Sequence, residues 1–113
     1  EGVESVRALR DIAGHAELIA VREACRTLGT FDLSACTLYT TAEPCWMCSF
    51  AIRQTHTGSV IIGRPTPHIG GATSAHPTLS DAAVPGWGAP PQIVFGVLEA
   101  ECLALGAHRP KPA

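Results

Sequence analysis

CTLYTTAEPCWMC, residues 36–48, is the most informative part of this chain for its fold class. Its first six residues, 36–41, are rich in β-branched and aromatic residues and alternate in polarity, a pattern that predicts a strand. Pro44 suits the first turn of a helix, and we predict that helix over residues 44–56. A strand that runs directly into a helix is the repeating unit of an α/β sheet.

The neighbouring segments extend this pattern in both directions. Residues 15–28 read as a helix with one apolar stripe formed by Leu18, Val21, Cys25 and Leu28, and Gly29 is a natural stop. On the other side, SVIIG, residues 59–63, is a short apolar run typical of a buried strand. The centre of the chain is therefore helix, strand, helix, strand.

The outer segments are predicted with less pattern to support them. VESVRAL, residues 3–9, is assigned as a short strand, QIVFGV, residues 92–97, as another strand, and LEAECLAL, residues 98–105, as a helix. Residues 108–113 should fray. Alternation of strands and helices implies an α/β sheet with helices packed on it.

Residues 64–91 differ in composition from the rest of the chain. They hold six of the nine prolines and four of the eleven glycines, so we expect an irregular segment. A loop of this length in a compact domain is usually functional or mobile. We expect part of it, around His68 to Thr73, to border the site described below and to set substrate choice.

Composition limits the classes of protein to which the chain can belong. Its 113 residues suffice for one domain, and 46% apolar with 16% charged residues is globular. No apolar run approaches the roughly 20 residues of a membrane span, and no signal peptide is recognisable. A net charge of −2 gives no overall attraction to nucleic acid or anionic lipid.

The five cysteines favour a reducing compartment. Their number is odd and their spacing is not that of a secreted disulfide scaffold, so we predict a cytoplasmic protein. In the cytoplasm a close cysteine pair indicates metal binding or redox chemistry. Cys45 and Cys48 lie on one face of a helix start, where the helix dipole favours thiolates. On this motif alone, zinc binding and thioredoxin-like redox chemistry are equally supported.

A second motif, His15-Ala16-Glu17, opens the preceding predicted helix. It is weak alone, but H-x-E followed by P-C-x-x-C is the signature of zinc deaminases. Over residues 1–63 the chain resembles the cytidine/deoxycytidylate deaminase superfamily, and it is most similar to the purine-type nucleoside and tRNA adenosine deaminases. The resemblance implies a three-layer α/β fold, with a central mixed sheet and helices packed on it.

The resemblance also implies a role for each motif residue. His15, Cys45 and Cys48 would hold zinc, with solvent at the fourth position. Glu17 would be catalytic and not a ligand, moving protons while water replaces the exocyclic amine of a nucleobase or nucleoside and ammonia leaves. Zinc is then the cofactor, a small nucleobase or nucleoside the substrate, and a homodimer the expected assembly.

Two features differ from the family pattern. Family members carry a helix and a first strand before the segment that matches EGVESV, so we expect an N-terminally short deaminase domain over residues 1–113. Purine-type members often have Asn in the second strand where this chain has Glu4, and a carboxylate accepts hydrogen bonds where an amide also donates. Glu4 and Ala16 are the predicted substrate contacts.

Three other functions remain open from the sequence. A deaminase acting on a base within tRNA or single-stranded DNA would share the zinc site but would need a basic groove. A structural zinc module would need a fourth protein ligand, from His56, His68, His76 or Cys36. A thiol oxidoreductase using Cys45 and Cys48 would leave His15 and Glu17 without a role.

Overall fold

The computed structural model describes residues 1–107 of the chain. In this part, helices and strands follow in the order α1 (Val6–Leu9), α2 (Ala16–Leu28), β1 (Thr37–Ala42), α3 (Trp46–Gln54), β2 (Ser59–Arg64), β3 (Gln92–Val94) and α4 (Glu99–Ala107). The predicted fraying of residues 108–113 lies outside the described residues. The predicted order of elements from residue 15 onward is confirmed.

The described part of the sheet has three strands in the order β1-β2-β3, and both pairs are parallel. Thr37 lies opposite Ser59, and Ser59 lies opposite Gln92, so the three strands start level with one another. Parallel neighbours need crossover connections, which α3 and the long segment 65–91 provide. Within residues 1–107 the sheet is therefore parallel, where we predicted a mixed one.

Helices cover both faces of this sheet. Val60 and Ile62 of β2 point to one face and are fully buried in a cluster with Val21 of α2 and Ile52 of α3. Gly63 lies on the opposite face, where a Cβ atom would stand only 2.2 Å from Sγ of Cys102 in α4. Since successive residues of a strand alternate between faces, the sheet lies between two helical layers. The predicted three-layer α/β architecture is confirmed.

The segment before α2 is not the strand that we predicted. Residues 6–9 form α1, a single helical turn that ends at Arg10 in the left-handed region (φ 49°). The N–H of Ser5 donates to the carbonyl of Gly14 at 2.7 Å, which folds the segment back on itself. The N–H of Leu9 donates to the carbonyl of Ser5 at 3.0 Å, a helical bond that forms the single turn.

The C-terminal elements start and stop where left-handed residues turn the chain. β3 ends at Val94, three residues before the predicted strand end, because Gly96 (φ 83°) and Leu98 (φ 53°) redirect the backbone into α4. The predicted helix is confirmed, shifted to 99–107. None of the helices in residues 1–107 combines the length and the apolar character needed to cross a membrane.

Candidate active site

The starts of α2 and α3 bring three of the predicted residues together. His15 is the N-cap of α2 and Cys45 the N-cap of α3, while Cys48 lies one turn further along. His15 Nδ1 is 3.5 Å from Cys45 Sγ and 3.7 Å from Cys48 Sγ. The three ligand atoms all lie within 4.8 Å of one another, so they could hold one metal ion.

The charge of the cysteine pair suits metal binding. The neighbouring Cys48 side chain lowers the pKa of Cys45 to about 5. The interaction with Cys45 and burial raise the pKa of Cys48. Thiolate sulfur and imidazole nitrogen are the donors that zinc prefers. The donor set therefore fits a zinc ion.

The ligand group contains three protein residues in the described part of the chain. The four residues considered as a fourth ligand (His56, His68, His76 and Cys36) lie within residues 1–107 but are not members of the group. Structural zinc sites are closed by four protein ligands, whereas catalytic sites keep one position open. Three protein ligands are the number that catalytic zinc sites use.

Glu17 stands beside the ligand group without belonging to it. It lies in the first turn of α2 and is half-buried, and this burial raises the pKa of its carboxyl group. Cys45 and His15 are close enough to act on the same carboxyl electrostatically. A carboxyl group next to three metal ligands is placed to exchange protons with a molecule at the fourth position of the metal.

A cavity of about 660 Å³ opens next to Glu17. Small residues of α2 (Ala16, Ala20 and Ala24) form one wall, and β1 forms the other. This volume lies within the range of about 300–1,000 Å³ that is usual for small-molecule sites. The predicted contact Ala16 and the carboxyl-bearing Glu17 both line this cavity, whereas His15, Cys45 and Cys48 do not.

Glu4, the other predicted substrate contact, lies near the same carboxyl group. Its Oε2 accepts a hydrogen bond from the N–H of Val6 at 3.2 Å. It is also close enough to Glu17 to contribute to the raised pKa of that residue. The structure therefore brings Glu4, Ala16 and Glu17 to one side of the ligand group.

The long segment 65–91 touches the ligand-bearing residues. Gly70 forms an antiparallel bridge with Cys45, and the N–H of Gly71 donates to the carbonyl of Pro44 at 2.9 Å. Further along, Ser74 Oγ accepts a hydrogen bond from the Trp46 indole at 3.0 Å. The expectation that residues 68–73 border the site is confirmed, and their effect on substrate choice stays a prediction.

Sequence reasoning missed two buried charges that hold this segment. Glu43 is 2% exposed, and its carboxylate accepts hydrogen bonds from Thr66, Ala72 and Thr73. Burial alone would raise the pKa of Glu43, but these hydrogen bonds outweigh it and lower the pKa. The sequence signal was slight, since a Glu before a helix start reads as a dipole partner.

The second buried charge is Arg53, in the last turn of α3. Its guanidinium donates to the carbonyls of Thr78, Leu79, Asp81 and Gly88. The same group lies 5.0 Å from the centre of the Trp87 ring, a cation–π distance. Nothing in the sequence indicates that Arg53 is buried. Its hydrogen-bond partners are backbone oxygens, which cannot be identified from residue type as an acidic side chain could.

Comparison with known proteins gives the family. The chain is 42% identical over 77 residues to a tRNA-specific adenosine deaminase of Aquifex aeolicus, covering 68% of this chain and 51% of that protein. It is 48% identical over 52 residues to a guanine deaminase of Bacillus subtilis, covering 46% of this chain and 33% of that protein. The chain thus spans about half or less of these relatives.

A solved structure and a family match agree with these similarities. A structure from a study of A-to-I editing by tRNA:A34 deaminases superposes with a TM-score of 0.80 at 31% identity, covering 93% of this chain and 73% of that one. The cytidine and deoxycytidylate deaminase zinc-binding region matches residues 1–64. The resemblance inferred from the two motifs is confirmed, and the chain belongs to the cytidine and deoxycytidylate deaminase zinc-binding family.

Proposed function

We propose that this protein is a zinc-dependent hydrolytic deaminase, which converts the exocyclic amine of a nucleobase or nucleoside to a carbonyl and releases ammonia. The observation that carries the proposal is the group of His15, Cys45 and Cys48, with Glu17 beside it and outside it. Zinc held by three protein ligands lowers the pKa of water toward about 7 and so supplies a nucleophile at neutral pH.

In this proposal Glu17 moves every proton of the reaction. Its carboxylate takes a proton from the attacking water and gives it to the ring nitrogen next to the carbon that bears the amine. It then transfers the second proton of that water to the departing amine, which leaves as ammonia while the carbonyl forms. The half-buried position of Glu17 limits the contact of its carboxyl group with bulk water during these transfers.

Substrate recognition is proposed to involve Glu4 and Ala16, which lie on the Glu17 side of the site. A carboxylate at position 4 accepts hydrogen bonds only, so it favours a base edge that presents N–H donors. Relatives named as tRNA-specific adenosine deaminase and guanine deaminase support a purine over a pyrimidine. We therefore place adenine and guanine derivatives first among the substrates.

A second candidate is deamination of a base within a tRNA or another single strand. Trp46 favours it, because this residue follows the ligand Cys45 directly, is 40% exposed, and has its indole N–H fixed by Ser74. An aromatic face held in place beside the site suits stacking of a neighbouring base. The net charge of −2 weighs against a large nucleic-acid surface.

The test is ammonia release from adenine, guanine and cytosine, from their nucleosides, and from short oligonucleotides that contain the same bases. Glu17→Ala is the central variant: it should keep its zinc and lose about 10²–10⁴-fold in turnover, the usual worth of general acid–base catalysis. Near-normal turnover in Glu17→Ala would refute the mechanism. Release from oligonucleotides alone would establish the second candidate in place of the first.

The remaining features of the proposal concern the whole protein. We propose that residues 1–113 act as one deaminase domain, that it works in the cytoplasm, where its five free cysteines stay reduced, and that it forms a homodimer. Support for the dimer comes from an apolar groove of about 500 Å³ between α2 and α3, where Phe31 and Phe50 are exposed. Sedimentation analysis would test the dimer.

A further inference from the structure

Glu43 lies two residues before the ligand Cys45, and its carboxylate accepts four hydrogen bonds. Its Oε1 accepts the N–H of Thr66 at 2.9 Å and also the Thr73 hydroxyl. Its Oε2 accepts the N–H groups of Ala72 and Thr73, both at 2.8 Å. One buried carboxylate thus gathers four donors from two points of the segment 66–73.

The backbone around Glu43 is tied to the same segment. The N–H of Glu43 donates to Arg64 at 2.8 Å, and its carbonyl accepts the Thr66 hydroxyl at 3.1 Å. The next residue, Pro44, accepts the N–H of Gly71. Together with the Gly70–Cys45 bridge, these bonds fix three consecutive residues, 43–45, against one side of the segment.

The requirement at position 43 is specific for a carboxylate of this length. All four partners are donors, so an amide would turn its NH₂ group toward an N–H or O–H and lose bonds. An aspartate is one methylene shorter and would not reach the same donors. Packing is close as well, because a Cβ atom on Gly70 would lie 2.1 Å from Oε2 of Glu43.

We propose that Glu43 is a positioning residue for the metal centre: through residues 66–73 it fixes the backbone of Cys45, and thereby the direction in which Cys45 Sγ meets His15 and Cys48. The proposal rests on the zinc ligands assigned above. Partners that orient a metal ligand without touching the metal are typically worth about 10–100-fold in metal affinity. In most such sites the partner binds the ring of a ligand histidine. Glu43 instead acts on the backbone of the ligand Cys45.

The experiment measures zinc binding and cobalt spectra of the full chain. Glu43→Gln should lower zinc affinity about 10–100-fold in competition with a chromophoric chelator. In the cobalt-substituted protein, the same variant should shift or weaken the thiolate-to-cobalt absorption bands, which report how the sulfur meets the metal. Glu23→Gln, an exposed carboxylate of α2, is the matched control and should change neither readout.

A second pair of variants covers the case in which Glu43→Gln does not fold. Thr73→Val removes one donor to Glu43 at an exposed position, and Thr73→Ser keeps that hydroxyl. Thr73→Val should lower zinc affinity in the same direction by a smaller factor, while Thr73→Ser should match the parent protein.

A purely structural role gives a different result. Circular dichroism would then show a folded Glu43→Gln or Thr73→Val protein of lower melting temperature, with zinc affinity and cobalt spectrum unchanged, and this outcome would overturn the proposal. Neither readout uses turnover. A protein that binds zinc but releases no ammonia would refute the proposed reaction while the zinc affinities still decide the role of Glu43.

Discussion

Replacing Arg53 by Met is the sharpest test of how the long segment 65–91 is held. Arg53 is 2% exposed, and its guanidinium donates to four carbonyls between Thr78 and Gly88. Methionine fills much of the same space without any donor. The substitution therefore removes the hydrogen bonds and the Trp87 contact while leaving the zinc ligands in place.

The size of the effect follows from the bond lengths. The bonds to Thr78 and Asp81 are 2.9 Å long, those to Leu79 and Gly88 3.3 and 3.2 Å. Hydrogen bonds from a charged donor contribute about 1.5–3 kcal/mol each, and the two longer ones contribute less. Part of the lost stability is regained, because water can bind the carbonyls that Arg53 no longer contacts and because a buried charge is removed.

We therefore expect Arg53→Met to lower the free energy of unfolding by about 3 kcal/mol, which for a domain of this size is about 12 °C in Tm. Urea denaturation followed by circular dichroism measures it, and the combined fluorescence of Trp46 and Trp87 gives a second signal. Arg26→Met is the control: Arg26 is exposed and pairs with Glu23 at 3.9 Å, an interaction worth about 0–1 kcal/mol. A loss below about 1 kcal/mol in Arg53→Met would refute the anchoring role, since truncating a buried charged donor should cost more.

Three further predictions concern other parts of the molecule. Cys45→Ser should lose most of its zinc by metal analysis, and full retention would exclude Cys45 as a ligand. Gly63→Ala should destabilise the fold by about 2 kcal/mol, because the new Cβ meets Cys102 Sγ at 2.2 Å, and Cys102→Ala in the same chain should restore part of the loss in a urea titration. Phe50→Glu places a charge on the α2–α3 groove and should shift a sedimenting dimer toward monomer, whereas an unchanged sedimentation coefficient would place the interface elsewhere.

The parts of the fold that were predicted correctly depend on local spacing. The apolar stripe of α2, the stop at Gly29 and the apolar run of β2 are patterns within a few residues, and each appears in the structure where it was expected. The ligand group was predicted from the family resemblance of its two motifs. His15 meets Cys45 because α2 runs away from His15 and β1 then leads the chain back to the start of α3, where Cys45 lies.

What the sequence did not reveal depends on partners far along the chain. Glu43 bonds to backbone groups 23 to 30 residues away, and Arg53 to carbonyls 25 to 35 residues away. Backbone N–H and C=O groups are the same at every residue, so no sequence pattern identifies them as partners. The turn at residues 6–9 was also missed, because the bond from Ser5 to Gly14 that folds this segment back joins two backbone groups.

The two buried charges explain why a segment so rich in proline and glycine lies in one place. Glu43 precedes the N-terminus of α3 and Arg53 ends its last turn, so each has the sign that the helix dipole favours at its position. Glu43 accepts hydrogen bonds from residues 66–73, and Arg53 donates hydrogen bonds to residues 78–88. Because α3 also carries Cys45 and Cys48, the segment and the metal ligands share one rigid support.

Opening the segment like a lid would leave a buried carboxylate and a buried guanidinium without partners, a large cost for each turnover. We therefore expect residues 66–88 to stay fixed against α3 during turnover, and substrate to enter on the side of Glu17, which lines the α2–β1 cavity.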